Sequence, residues 1–155
     1  MNDANAHQGI GDRLVEGGSV LVLGAGESGI SAARLLRAES HDVTLADFEL
    51  HPAHTSEGLR DLSEQGVKAV FGADCVRACD VHRFAYAVVS PGVDTTVGPV
   101  ADLVAAGLPL VSEIELAWLR ADRPCVAVTG TNGKTTTTQI IELMLNACGK
   151  RTRAS

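Results

Sequence analysis

Short apolar runs alternate with helix-period segments along most of the chain. Val20–Gly24 (VLVLG) is a continuous apolar run, the pattern of a parallel strand covered on both faces. Val43–Asp47, Lys68–Phe71, Tyr86–Ser90 and Leu108–Val111 predict four further strands. Gly29, Ala32, Ala33 and Leu36 recur at helical spacing, and their small side chains let a helix lie close to a sheet. A helix is expected over residues 56–65 with Gly66 as its stop, and another is opened by Gly98-Pro99 and closed by Gly107. Residues 72–84 accommodate one helical turn. Ser112-Glu113-Ile114-Glu115 fits a capping box, with Ser112 as cap, for a helix running to Arg120.

After a polar, Pro-terminated connection at 121–124, Cys125–Thr129 (CVAVT) predicts a sixth strand. A second Gly-containing turn and a helix to Cys148 follow, with Ile141, Met144, Leu145 and Cys148 as its apolar stripe. Five strands separated by helices imply an α/β fold with a parallel, Rossmann-like five-stranded sheet and flanking helices. The expected organisation is a flexible lead-in at 1–17, a first domain at 18–121, and the first βα unit of a second domain at 122–155. A lone βα unit cannot cover its own apolar faces, so this last part either docks on the first sheet or is the start of a truncated domain, and truncation is expected.

The 155 residues are 45% hydrophobic and 21% charged, enough apolar content to bury a core. Aromatics make up only 3%, which argues against stacking platforms for single-stranded nucleic acid. The formal net charge of −6 leaves no chain-wide basic footprint for nucleic acid or an anionic membrane. No apolar run approaches the ~20 residues of a membrane span. Met1–Asp12 lacks the apolar stretch of a signal peptide, so a cytoplasmic location is expected. Cys75, Cys79, Cys125 and Cys148 do not form paired zinc-binding clusters and read as free thiols. His7, His41, His51, His54 and His82 show no metal-ligand spacing. Glu113 and Glu115 are two apart on a helix and do not face each other as a carboxylate pair. Trp118 falls on an apolar helix and is expected in core or interface packing.

Two turns carry candidate chemistry. Gly24-Ala25-Gly26-Glu27-Ser28-Gly29 joins a strand to a helix, the G-x-G-x-x-G setting that brings a diphosphate to a helix N-terminus. Asp47, at the end of the next strand, is placed to accept hydrogen bonds from a ribose or base. A ligand-free packing turn satisfies the same spacing. The second turn is Gly130-Thr131-Asn132-Gly133-Lys134-Thr135-Thr136. A Walker A loop would need glycine where Val128 stands, so the pattern is G-x-x-G-K-T. Its glycines let backbone N–H groups face an anion, Lys134 matches β and γ phosphates, and the Thr135 hydroxyl matches Mg²⁺. A solvated Gly-Lys turn is the plainer alternative. Thr135–Thr138 are poor helix formers, and folding alone gives little reason to put them at a helix start.

The segment Thr129–Thr137 (TGTNGKTTT) resembles the ATP loop of the Mur ligase family, and also that of folylpolyglutamate and cyanophycin synthetases. GAGESG at Gly24–Gly29, SPGV at Ser90–Val93 and SEIELA at Ser112–Ala117 resemble the family branch that adds D-glutamate. The L-alanine-adding branch usually has His where Asn132 stands. The resemblance implies that the first domain binds the UDP part of UDP-N-acetylmuramoyl-L-alanine. Gly26, Glu27, Ser28 and Gly29 would lie beside the diphosphate, Asp47 at the uridine, and Ser90, Pro91 and Gly92 along the facing side. Phe48 and Glu49 stand where the family often has polar residues.

It further implies ATP-driven amide ligation to D-glutamate through an acyl phosphate, in peptidoglycan precursor synthesis. Gly130, Thr131, Asn132, Gly133, Lys134, Thr135 and Thr136 would hold ATP, with Lys134 and Thr135 catalytic and Thr135 on Mg²⁺. The protein would be a monomer at full length. The family's second Mg²⁺ ligands, modified lysine and amino-acid-binding domain would lie past Ser155, so the 155-residue chain is expected to be inactive alone. Competing readings are the L-alanine-adding ligase, a non-catalytic nucleotide-binding module, and an NAD(P)-dependent oxidoreductase. The oxidoreductase leaves the second turn unexplained.

Overall fold

A computed structural model describes residues 18–48, 57–72, 75, 80–121 and 123–153. The chain divides into two compact units, Met1–Arg120 and Ala121–Ser155. The residues expected as a lead-in, 1–17, lie outside the described ones, as do Glu49, His51, His54 and Cys79.

The first unit holds β1 (Ser19–Leu23), α1 (Glu27–Ala38), β2 (Asp42–Asp47), α2 (Glu57–Glu64) and β3 (Lys68–Phe71). A 3₁₀ turn at Val81–Arg83 leads to β4 (Tyr86–Val89), α3 (Gly98–Ala105), β5 (Leu110–Ser112) and α4 (Glu113–Arg120). The strands form one sheet in the order β3-β2-β1-β4-β5, and every pair is parallel. The α/β sheet is therefore the five-stranded parallel one expected.

The apolar run of β1 explains the layering. Val20, Leu21, Val22 and Leu23 are all fully buried, two on each face. Val20 and Val22 join Val43, Leu45 and Val88 beneath Ala32, Ala33 and Leu36 of α1, Leu59 and Leu62 of α2, and Leu116 of α4. Leu21 and Leu23 join Ala46 and Ala87 beneath Val100 and Leu103 of α3. The buried residues of α1 are the four of the expected stripe, Gly29, Ala32, Ala33 and Leu36. Each large side chain so buried contributes about 1.5–3 kcal/mol.

The structure corrects three expectations. The fifth strand begins at Leu110, because the Leu108 N–H completes the end of α3 by donating to the Leu103 carbonyl at 3.1 Å. Cys125–Thr129 pairs with no strand among the described residues. An isolated strand leaves its backbone donors and acceptors without partners, and Val126 is 64% exposed. Of the core and interface placements expected for Trp118, the core one is excluded: Trp118 is 58% exposed, because α4 turns only Leu116 fully inward.

In the second unit, α5 spans Lys134–Ala147. None of its residues is buried, and its expected stripe is half-covered at Ile141 and Leu145 and exposed at Met144 and Cys148. No helix among the described residues is long and apolar enough to cross a membrane.

Candidate functional site

The sheet order places consecutive strand ends on opposite sides of β1, since β1 pairs with β2 on one edge and β4 on the other. In open parallel sheets, ligands bind beyond the carboxyl ends of the strands at such a switch point. The first turn and the Ser90 segment both leave the sheet there.

Gly24 turns the chain out of β1 with φ +100°, and its N–H donates to the Ala46 carbonyl at 2.9 Å. The next N–H, of Ala25, donates to Asp47 Oδ2 at 2.8 Å. Asp47 therefore holds the turn in place as well as standing at its rim. Helix α1 begins at once, its first internal bond running from the Ile30 N–H to the Gly26 carbonyl. The N–H groups of Glu27, Ser28 and Gly29 precede that bond and belong to the free first turn of the helix. Gly26, Glu27 and Ser28 are exposed, and a Cβ on Gly26 would meet nothing within 4 Å. At Gly29, by contrast, a Cβ would fall 1.9 Å from the Gly24 carbonyl oxygen. Glycine is required there for helix and turn to close on each other. The two residues leave a backbone surface that an anion can approach closely.

Facing this turn, the Ser90 N–H donates to the Leu23 carbonyl at 3.0 Å, and the Val93 N–H donates to the Ser90 carbonyl at 3.0 Å. Ser90 is buried, whereas Pro91 and Gly92 are exposed. The Ser90 hydroxyl donates to Glu113 Oε1 at 2.5 Å. The structure thus gathers Gly24–Gly29, Asp47 and Ser90 at one crevice, with Pro91 and Gly92 following directly. Sequence reading missed Glu113. Strand register would have found it: Val89 pairs with Ser112, so Ser90 and Glu113 leave the sheet side by side. Ser112 Oγ accepts from the Glu115 N–H at 3.1 Å, the cap bond expected for α4.

The second turn is built differently. Gly133 caps α5 in the left-handed conformation (φ +78°), and Gly130 has φ +148°. Lys134 Nζ donates to the Gly130 carbonyl at 2.6 Å, which folds the ammonium over the turn. The first internal bond of α5 runs from the Thr137 N–H to the Gly133 carbonyl, so the N–H groups of Lys134, Thr135 and Thr136 precede it. Thr131, Asn132, Gly133, Lys134, Thr135 and Thr136 are all exposed. Thr138 Oγ1 donates back to the Lys134 carbonyl at 2.8 Å, which lets a threonine sit in a helix without orphaning its hydroxyl. A cation, an open helix start and free hydroxyls fit a polyphosphate. Among the described residues no group of three acidic, His or Cys side chains could hold a metal. Mg²⁺ would therefore need phosphate oxygens beside the Thr135 hydroxyl.

At the amino ends of the strands lies a second polar cluster. Arg120 Nε donates to Glu39 Oε1 at 2.9 Å and Arg120 Nη2 donates to Oε2 at 2.8 Å, tying the end of α4 to the end of α1. The Arg120 guanidinium holds the Glu39 carboxyl below its ordinary pKa, and the pair raises that of Arg120. His41 is buried, its Nδ1 3.3 Å from the Gly18 carbonyl oxygen, and its ring meets that of Tyr86 edge-on. Burial raises the pKa of the Tyr86 phenol, and the neighbouring Arg120 guanidinium acts against that rise. This cluster lies at the amino ends of the strands, away from the crevice, and serves packing.

The family profile described as "Mur ligase MurD-like, N-terminal domain" matches residues 18–112. The protein named UDP-N-acetylmuramoylalanine–D-glutamate ligase of Streptococcus mutans serotype c is 38% identical over 140 residues, covering 90% of this chain and 30% of that protein. The protein of the same name from Pelotomaculum thermopropionicum is 41% identical over 133 residues, 86% of this chain and 29% of the relative. The Streptococcus uberis protein is 41% identical over 134 residues, 84% and 28% respectively. The chain thus spans about three tenths of the length of these relatives. A glycine turn closed by Gly29, a parallel sheet with its switch point beside it, and this match over 18–112 lead to one conclusion: the chain belongs to the Mur ligase MurD-like family and carries its N-terminal domain.

Proposed function

We propose that this chain is the nucleotide-sugar-binding part of an ATP-dependent ligase that joins D-glutamate to UDP-N-acetylmuramoyl-L-alanine in peptidoglycan precursor synthesis. The observation that carries the reading is the open backbone at Gly26–Ser28, facing Ser90 across the switch point, in a chain whose relatives bear that ligase's name. Gly26, Glu27, Ser28 and Gly29 receive the diphosphate on their N–H groups. Asp47 stands at the uridine, and Ser90, Pro91 and Gly92 line the other wall. Residues 18–121 form this domain, and 122–155 begin the ATP-binding one.

The second turn supports the ATP half of the reading. A match to the Streptococcus mutans ligase covering 90% of this chain leaves too few residues outside to miss 130–136. Bound ATP supplies a phosphoryl group that turns a carboxylate into an acyl donor, and Mg²⁺ supplies charge compensation. The turn's part is to hold those groups. The N–H groups of Lys134, Thr135 and Thr136 face the phosphates. Lys134 Nζ, released from the Gly130 carbonyl, balances their charge, and Thr135 Oγ1 offers a ligand to Mg²⁺. Each such contact is worth about 3–4 kcal/mol in a fully assembled site. Residues supplied by the rest of the ligase complete the reaction, so the 155-residue chain binds the nucleotide sugar without joining it to D-glutamate. The reading puts this work in the cytoplasm and the complete ligase in monomeric form.

Calorimetric titration of the chain with UDP-N-acetylmuramoyl-L-alanine, UDP and NADH tests the reading. The nucleotide sugar is expected to bind most tightly. NADH binding more tightly than either uridine ligand would reject the proposal in favour of a dinucleotide site.

A further inference from the structure

Ser90 has one hydroxyl proton, and that proton is already spent. It lies in the 2.5 Å bond to Glu113 Oε1, at the first residue of α4. Glu113 lies in the acidic first turn of α4, where a negative charge suits the helix dipole. Ser90 is also wedged against the first turn. A Cβ on Gly24 would fall 3.0 Å from Ser90 Oγ, and one on Gly29 would fall 3.1 Å from it. Glu113, Ser90 and the glycine turn therefore form a continuous chain of contacts from α4 to the mouth of the crevice. A hydroxyl that donates to a carboxylate has only lone pairs left to offer. Near a diphosphate those lone pairs, backed by the Glu113 charge, repel; near a hydroxyl or amide N–H they attract.

We propose that Glu113 is a positioning residue for the crevice. By holding the Ser90 proton it presents Ser90 Oγ as a pure acceptor for a hydroxyl or N–H of the bound nucleotide sugar, and it turns the diphosphate toward the Gly26–Gly29 backbone. This rests on the reading of the crevice as a uridine-nucleotide-sugar site. It assigns one wall to ligand donors and the other to ligand anions. It also gives Glu113 a role that the pairing of Glu113 with Glu115 could not supply.

The test is a double-mutant cycle on the 155-residue chain, with UDP-N-acetylmuramoyl-L-alanine titrated by calorimetry. Glu113→Ala frees the Ser90 proton and is expected to weaken binding about tenfold, the worth of one charge-assisted contact. Ser90→Ala is expected to weaken it about as much, and the double variant no further, since both remove one shared interaction. Glu113→Gln, which keeps an acceptor oxygen for the Ser90 hydroxyl, is expected to recover most of the loss. Full affinity in Glu113→Ala, or additive losses in the double variant, would overturn the proposal while leaving the uridine site standing. A wild-type chain that binds neither UDP nor the nucleotide sugar would overturn the site reading and this proposal together. A crystal structure of the wild-type complex decides independently of whether any variant folds. Ser90 Oγ is expected within hydrogen-bond reach of a ligand O–H or N–H, and a phosphate oxygen in that place would refute the assignment.

Discussion

The two glycine turns share a grammar and differ in mechanics. Both stand at a helix start, and both leave three backbone N–H groups ahead of the first helical bond. In the first, Gly29 is dictated by crowding, because a Cβ would meet the Gly24 carbonyl oxygen at 1.9 Å. In the second, Gly133 is dictated by conformation: φ is +78°, and a Cβ would meet nothing within 4 Å. The first turn is set in a sheet whose central strand buries Val20–Leu23 completely. The second belongs to a helix without a buried residue. The same letter thus does steric work in one turn and torsional work in the other, and substitution should separate the two.

The largest effect is expected at Gly29. Glycine-to-alanine replacement there forces α1 away from β1 and should cost about 3 kcal/mol or more. Chemical denaturation followed by far-ultraviolet circular dichroism would show the sheet unfolding at markedly lower denaturant. An unchanged midpoint would mean that the turn relaxes and that close packing does not define it.

Next in size is Lys134→Ala. Removing a charged donor should weaken the binding of ATP by about 10–100-fold, the range of a charge-assisted hydrogen bond. Binding of the uridine ligand should stay unaltered. Equal loss of both affinities would show that the two turns serve one site.

The Glu39–Arg120 pair calibrates the sheet unit at the amino ends of its strands, away from the crevice. The folded pKa of Glu39 lies below its unfolded value, so its contribution is complete above the unfolded value and fades as pH falls through the folded one. Glu39→Gln should cost about 1–2 kcal/mol near pH 7, as expected for a half-buried bidentate pair. It should also flatten the loss of stability between neutral and acidic pH. Urea unfolding at several pH values measures both, and parallel pH profiles in the two proteins would remove the pair from the account.

The smallest effect belongs to Gly133→Ala. The left-handed conformation costs a non-glycine residue about 1 kcal/mol, so the Thr137 amide, which makes the first helical bond of α5 to the Gly133 carbonyl, should exchange its proton about fivefold faster. The sheet should melt as before, since Gly133 contributes nothing to its core. A shift in the sheet's midpoint would contradict the separation of the two units.

Much of this was legible in the chain itself. The doubly buried run of β1 and the stripe Gly29, Ala32, Ala33 and Leu36 read directly, because strand and helix periods are written in consecutive side chains. Both glycine turns were visible as punctuation. Less legible were features that join distant segments. Leu108 looked like strand and instead finishes α3, since a backbone bond to Leu103 outweighs local β preference. Cys125–Thr129 carries strand residues but pairs with no strand among the described residues, and propensity alone does not make a ladder. Trp118 reads as core or interface packing, and of these the core is excluded, since a two-turn helix lying on a sheet turns only one of its residues, Leu116, fully inward.

Local alternation of apolar and polar residues thus determined the elements, their approximate bounds and the two sites where backbone N–H groups stand open. Such patterns record what each residue's neighbours along the chain must do. Only the tertiary structure decided that Ser90 gives its proton to Glu113, 23 residues away, that Arg120 grips Glu39 across 81 residues, and that Gly29 touches the carbonyl it follows by five positions. These contacts depend on strand order and register, which side-chain periodicity along a single chain does not encode.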